Sequence, residues 1–172
     1  MGIPPPMDTY GGLTEKTDLE SMPWLETFMV ACIDATLAAQ NAVVAAQSLG
    51  LRTVYIGAMR NDPVRVAELL GLPPRAFAVF GLCVGYPDPK AKNEVKPRLP
   101  QSIVLHHDGY DPAPETQDRP AYDSEMSKFS ARHELQAATW TQRVLNRMGP
   151  LKSMNGRERM RAALAKLGFE IR

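Results

Sequence analysis

The chain has 172 residues, 44% hydrophobic and 23% charged, enough apolar material for a domain with a buried core. Its net charge of +1 offers no general attraction for nucleic acid or an anionic membrane, which argues against both as partners. Two cysteines and three histidines make no metal-ligand spacing; Cys32 and Cys83 sit in apolar runs, where free buried thiols are expected.

Residues 1–22 carry turn residues and little apolar periodicity, and an irregular segment is expected there. Pro4-Pro5-Pro6 stands where a signal peptide would have its basic and apolar regions, so the expected location is cytoplasmic. Pro23 to Leu49 reads as a long helix, capped near Ser21 or Met22 and stopped by Gly50. It is apolar nearly all round, with many alanines at helical spacing, which predicts burial against a second subunit. Asp34, Gln40 and Asn41 interrupt it as a membrane span and are expected to make structural hydrogen bonds.

Arg52 to Gly57 reads as a strand. Asp62 is an N-cap and Pro63 a first helical residue, so Pro63 to Leu70 is a short helix ended by Gly71. Ala76 to Gly85 is nearly all apolar and predicts a strand buried on both faces. Tyr86 to Pro100 is a proline-stiffened loop, Ile103 to His106 a short extended piece, and Asp108 to Pro120 another loop. Ser124 to Met148 and Asn155 to Leu167 read as helices, the first packing through Met126, Phe129, Leu135, Trp140, Val144 and Leu145. The pattern is α/β or α+β, and two strands are too few for a self-sufficient sheet.

Taken alone, Tyr55-Ile56-Gly57-Ala58 is a buried strand ending in a turn, and Arg60 a surface cation. Lys96 and Arg98 are a basic pair in a loop that Pro97 and Pro100 stiffen; such a pair suits a phosphate. Lys128, Arg132, Arg143 and Arg147 read as a solvated basic face. His106, His107 and His133 lack a nucleophile motif and read as surface histidines.

Several motifs together carry a family resemblance. They are Asp34-Ala35-Thr36-Leu37-Ala38-Ala39-Gln40-Asn41, Ser48-Leu49-Gly50-Leu51, Tyr55-Ile56-Gly57, Arg60-Asn61, Phe80-Gly81-Leu82-Cys83, Gly85 and Lys96-Pro97-Arg98-Leu99-Pro100. In this order they resemble the flavin-dependent nitroreductase family, in its NADPH-preferring flavin reductase and oxygen-insensitive nitroreductase branch. The resemblance runs from Trp24 to Tyr110 and is looser to Arg172. It implies an α+β, nitroreductase-like fold, N-terminally truncated, with helices on a reduced central sheet. Residues 23–172 would be the C-terminal part of that domain, and the active unit a homodimer.

The resemblance also implies FMN as cofactor and NADPH as hydride donor, with a nitroaromatic, quinone or flavin as small-molecule electron acceptor. The cofactor contacts carried over are Tyr55, Ile56, Gly57, Ala58 and Met59 beside the flavin ring, and Lys96 and Arg98 on its phosphate. Ala58 stands where the branch usually has a second glycine, and alanine disfavours positive φ. Arg132 is the candidate for the NADPH 2′-phosphate. No catalytic acid, base or nucleophile is required. The alternative is a non-catalytic paralogue or fragment that only folds and dimerises.

Overall fold

The computed structural model describes residues 20–91, 94–136 and 139–172. Most of the segment expected to be irregular, residues 1–22, therefore lies outside the described residues. In chain order the elements are α1 (Leu25–Ser48), β1 (Arg52–Ile56), α2 (Pro63–Leu70), β2 (Gly81–Gly85), α3 (Gln101–Val104), α4 (Ala113–Arg132), α5 (Trp140–Met148) and α6 (Met160–Lys166). Short 3-10 turns occupy Gly57–Arg60, Leu151–Met154 and Arg157–Arg159. Two compact units emerge, one from the chain up to Asp88 together with Met154–Arg172, the other from Pro89–Ser153.

In the first unit α1 starts two residues after Pro23. No side chain caps it; the Leu25 amide donates to the Arg172 carbonyl (3.3 Å) and the Arg172 amide to the Pro23 carbonyl (2.9 Å). Orphan helix amides need a partner, and a distant strand of backbone supplies one. Gly50 ends the helix as expected, at φ +78°. α1 buries only Ala35, Ala39 and Val43, a stripe at i, i+4 and i+8, while Ile33, Leu37 and Val44 stay exposed. Within one chain the expected all-round burial is thus absent. By length and composition alone α1 could cross a membrane, but Asp34 lies inside it and its buried stripe faces protein.

β1 and β2 pair antiparallel, with Arg52 opposite Gly85 and Ile56 opposite Gly81. The helix between them follows its local signals. The Asp62 side chain accepts from the Arg65 amide at 3.0 Å, Pro63 fills the first position and Gly71 closes the helix in the left-handed region. The expected strand Ala76–Gly85 is only half a strand. Ala76, Phe77, Ala78 and Phe80 are buried but precede β2. Phe77 stacks on Phe28 (5.7 Å) and meets Phe169 edge-on (5.8 Å). The Arg75 amide donates to the Leu167 carbonyl at 2.7 Å. Ala78 makes an isolated β-bridge, Phe77 packs in an aromatic trio, and β2 itself is largely open.

The last helix is shorter than the expected Asn155–Leu167, because Asn155 (φ +51°) and Gly156 (φ +94°) break the helical path. Cys32 is half-buried, and that burial raises its thiol pKa; Cys83 is exposed, against expectation, and both are free.

The second unit departs further from the expected elements. Ile103 lies in the helical turn α3 instead of an extended piece. The expected loop Asp108–Pro120 already contains the first eight residues of α4. The Asp111 carboxylate accepts from the Ala113 amide at 2.9 Å, Pro114 sits in the first turn, and Pro120 is carried inside the helix. An interior proline removes one helical hydrogen bond and costs about 3 kcal/mol in isolation. Burying Tyr122, Met126 and Phe129 on one face, with Leu99 and Trp140 against them, offsets that cost. The expected single helix Ser124–Met148 is broken after Arg132. Glu134 turns left-handed at φ +54°, and Thr139 caps α5 by accepting from the Gln142 amide at 3.0 Å. Leu135 and Leu145, expected in the core, are exposed. Among the described residues the architecture is therefore α+β, helix-rich with a two-stranded sheet in the first unit.

Candidate functional site

The candidate residues divide between the units: Tyr55 to Met59 belong to the first, Lys96, Arg98 and Arg132 to the second. β1 delivers the first set. The Tyr55 ring lies edge-on to Phe80 at 4.9 Å, and its hydroxyl donates to Gln40 Oε1 at 3.5 Å. Gln40 therefore does serve a structural contact. Ile56 then leads into the Gly57–Arg60 turn.

Two guanidinium groups fix that turn. Arg157 Nη2 donates to the Gly57 carbonyl at 3.1 Å, and Arg60 Nη1 donates to the Val79 carbonyl. Arg60 is thus a structural tie, not a surface cation. A Cβ at Gly57 would stand 3.2 Å from Arg60 Nη2. Because the peptide is trans, fixing the Gly57 carbonyl toward Arg157 turns the Ala58 N–H the opposite way. Ala58 is exposed and is not among the residues with positive φ, so its methyl costs the turn no backbone strain. Sequence reasoning missed Arg157, a hundred residues away from Gly57. Nothing local marks it.

The Lys96–Arg98 loop is pinned to α4 on both sides of the basic pair. Upstream, Glu94 accepts from Arg132 Nε at 3.2 Å and from Arg132 Nη2, and pairs with His133 Nε2 at 2.9 Å. Arg132 first, then His133, holds the Glu94 carboxyl far below its usual range, at about 2. His133 also stacks on Phe129 at 4.3 Å, so it is not the surface histidine expected. Between the two basic residues the Pro97 carbonyl accepts from the buried Tyr122 hydroxyl at 3.1 Å. Downstream, Leu99 packs on the Tyr122–Met126–Phe129 core. Arg98 Nη1 donates to the Lys96 carbonyl at 2.7 Å. The Lys96 ammonium is exposed and pairs with no acid among the described residues.

The other basic residues of this unit are not a plain solvated face. Arg143 Nη2 donates to the buried Ser130 hydroxyl at 2.8 Å, Arg147 to the Ser153 carbonyl, and Lys128 pairs with Glu125 at 2.7 Å. Among the described residues no group of histidines, cysteines and acids could hold a metal ion.

Each unit offers its own donors. The turn offers a backbone N–H aimed away from its own anchor. The Lys96 loop offers an ammonium that pairs with no acid among the described residues and a guanidinium with donors to spare, on pinned backbone.

Residues 25–86 match the model of the nitroreductase family, and residues 96–172 match the C-terminal domain of that same family. The chain belongs to the nitroreductase family. It is 38% identical over 125 residues to the NADPH-flavin oxidoreductase of Vibrio harveyi, covering 72% of this chain and 51% of that protein. Among solved structures it resembles B. megaterium NfrA2, with a TM-score of 0.83 and 33% identity over 96% of this chain and 65% of that one. It also resembles the NADPH:FMN oxidoreductase of Vibrio harveyi complexed with NAD+, with a TM-score of 0.72 and 29% identity over 96% of this chain and 64% of that one. The chain spans about half the length of the curated relatives it matches. Both family matches begin at or before a candidate motif: the Gly57 turn lies within the first, and Lys96 opens the second.

Proposed function

We propose that the chain serves an FMN-dependent NAD(P)H oxidoreductase of the nitroreductase type, which carries hydride from NADPH to nitroaromatics, quinones or flavins. The observation that carries this is the Lys96–Arg98 loop, two cations on pinned backbone with Lys96 pairing with no acid among the described residues, in a chain of this family. Lys96 and Arg98 bind the FMN phosphate. Tyr55, Ile56, Gly57, Ala58 and Met59 line the flavin ring, with the Ala58 N–H donating at the edge that receives hydride. The flavin supplies the redox chemistry; the chain supplies position and electrostatics. Arg132 meets the NADPH 2′-phosphate only by sharing or leaving Glu94.

The active unit in this proposal is a cytoplasmic homodimer whose interface covers the exposed Ile33, Leu37 and Val44 of α1. That same exposed face supports a second possibility, a dimerisation module that holds no flavin. Adding FMN to the purified chain, removing the excess and recording the visible absorbance separates the two. Retained flavin bands that NADPH bleaches support the oxidoreductase; a folded, colourless dimer supports the module. Leu37→Glu is expected to shift the dimer toward monomer in sedimentation, and a dimer that survives it would remove α1 from the interface.

A further inference from the structure

We infer that Glu94 is a positioning residue for the Lys96–Arg98 phosphate seat, fixing the backbone that carries both cations by tying it to the C-terminal end of α4. This rests on the phosphate assignment made above. The attachments lie on both sides of the two cations, and Arg98 itself donates to the Lys96 carbonyl. Glu94 is bound to Arg132 and His133, Pro97 to Tyr122 and Leu99 to the core, while the Lys96 ammonium pairs with no acid among the described residues. Pro97 fixes the chain's φ between the two cations, and its own carbonyl is held by Tyr122.

Charge sharpens the point. Glu94 stands only two residues before Lys96, within roughly 7 Å of it along the chain. A loose carboxylate there would compete with a phosphate for Lys96. The forked grip of Arg132 and the His133 contact occupy both Glu94 oxygens. His133, half-buried on Phe129, is itself held in place. The carboxylate therefore anchors the loop while being withheld from its cations.

Position and charge predict opposite signs, which makes the inference testable. Removing a negative charge near a phosphate seat should by Coulomb attraction alone strengthen phosphate binding; loosening the loop should weaken it. The experiment compares FMN with riboflavin, which lacks the phosphate, by flavin fluorescence quenching on the full chain. In E94A the FMN dissociation constant should rise about tenfold, the scale of a lost preorganised loop, while riboflavin binding stays unchanged. E94Q, which keeps one acceptor for Arg132, should fall between. In the flavin-free protein, amide exchange at residues 95–99 should quicken in E94A while the thermal midpoint shows it still folded.

FMN affinity unchanged or raised in folded E94A would overturn the inference. Equal wild-type affinity for FMN and riboflavin, or binding of neither, would overturn the phosphate assignment instead. Exchange then still decides about Glu94, since unchanged rates in E94A overturn its positioning role as well.

Discussion

The Gly57 turn and the Lys96 loop offer hydrogen-bond donors in opposite ways. At Gly57 the donors are backbone amides, and side chains do the holding: Arg157 and Arg60 grip carbonyls around the turn. At Lys96 the donors are side chains, and backbone and apolar contacts do the holding: the Pro97 carbonyl and Leu99 are pinned to α4. A seat built from backbone tolerates substitution at its own positions and is vulnerable at its distant supports. A seat built from side chains fails directly when those side chains go. Ala58 illustrates the first case, since its methyl enters the turn without requiring positive φ.

The largest test of that contrast removes the side-chain seat. Lys96→Ala with Arg98→Ala deletes two charge-assisted contacts of roughly 1.5–3 kcal/mol each, about 3–6 kcal/mol together. The FMN dissociation constant should rise about two to four decades, with riboflavin unaffected; a change below tenfold would remove these residues from the phosphate site. Next comes the support beneath that loop. Met126 is fully buried, and Met126→Ala should cost about 2–5 kcal/mol in urea unfolding. A loss under about 1 kcal/mol would mean that the core of this unit repacks freely.

The backbone seat is best attacked from a distance. A Cβ at Gly156 would lie 2.4 Å from the Asn61 carbonyl, at φ +94°. Gly156→Ala should destabilise by about 1–3 kcal/mol and disturb the turn beside Asn61. Amide exchange at residues 57–61 measures this, and protection equal to wild type would refute the coupling. Asp62→Ala, which removes the N-cap of α2, should cost about 1 kcal/mol in thermal unfolding; no change would mean that another group caps the helix.

Acid is the mildest probe. Glu94 has a folded-state value lowered from 4.5 to about 2 by Arg132 and His133. A lowered carboxylate stabilises the fold fully above its unfolded value and loses that effect as pH falls through the folded value. The thermal stability gap between wild type and E94A should therefore be constant above about pH 5 and close between about pH 4.5 and 2. A gap that widens with acid would show the sign to be wrong.

The amino-acid sequence by itself determined what neighbours along the chain can settle. Asp62-Pro63 and Gly71 delimit α2, Gly50 stops α1, and Arg52–Ile56 forms β1, because caps, turns and strand preference act over a few residues. The ordered motifs from Asp34 to Pro100 also identified the family. Only the tertiary structure decided the rest. Ala76 to Ala78 are buried ahead of β2, with Phe77 against Phe28 and Phe169, since apolar runs report burial and not the partner that provides it. α4 runs through Pro120 because a core on one face outweighs an interior proline. Arg157 reaches Gly57, and Glu94 reaches Arg132 and His133, across separations of a hundred residues and about forty. Hydrogen bonds between such distant groups form only once packing has brought their elements together, so no local pattern announces them.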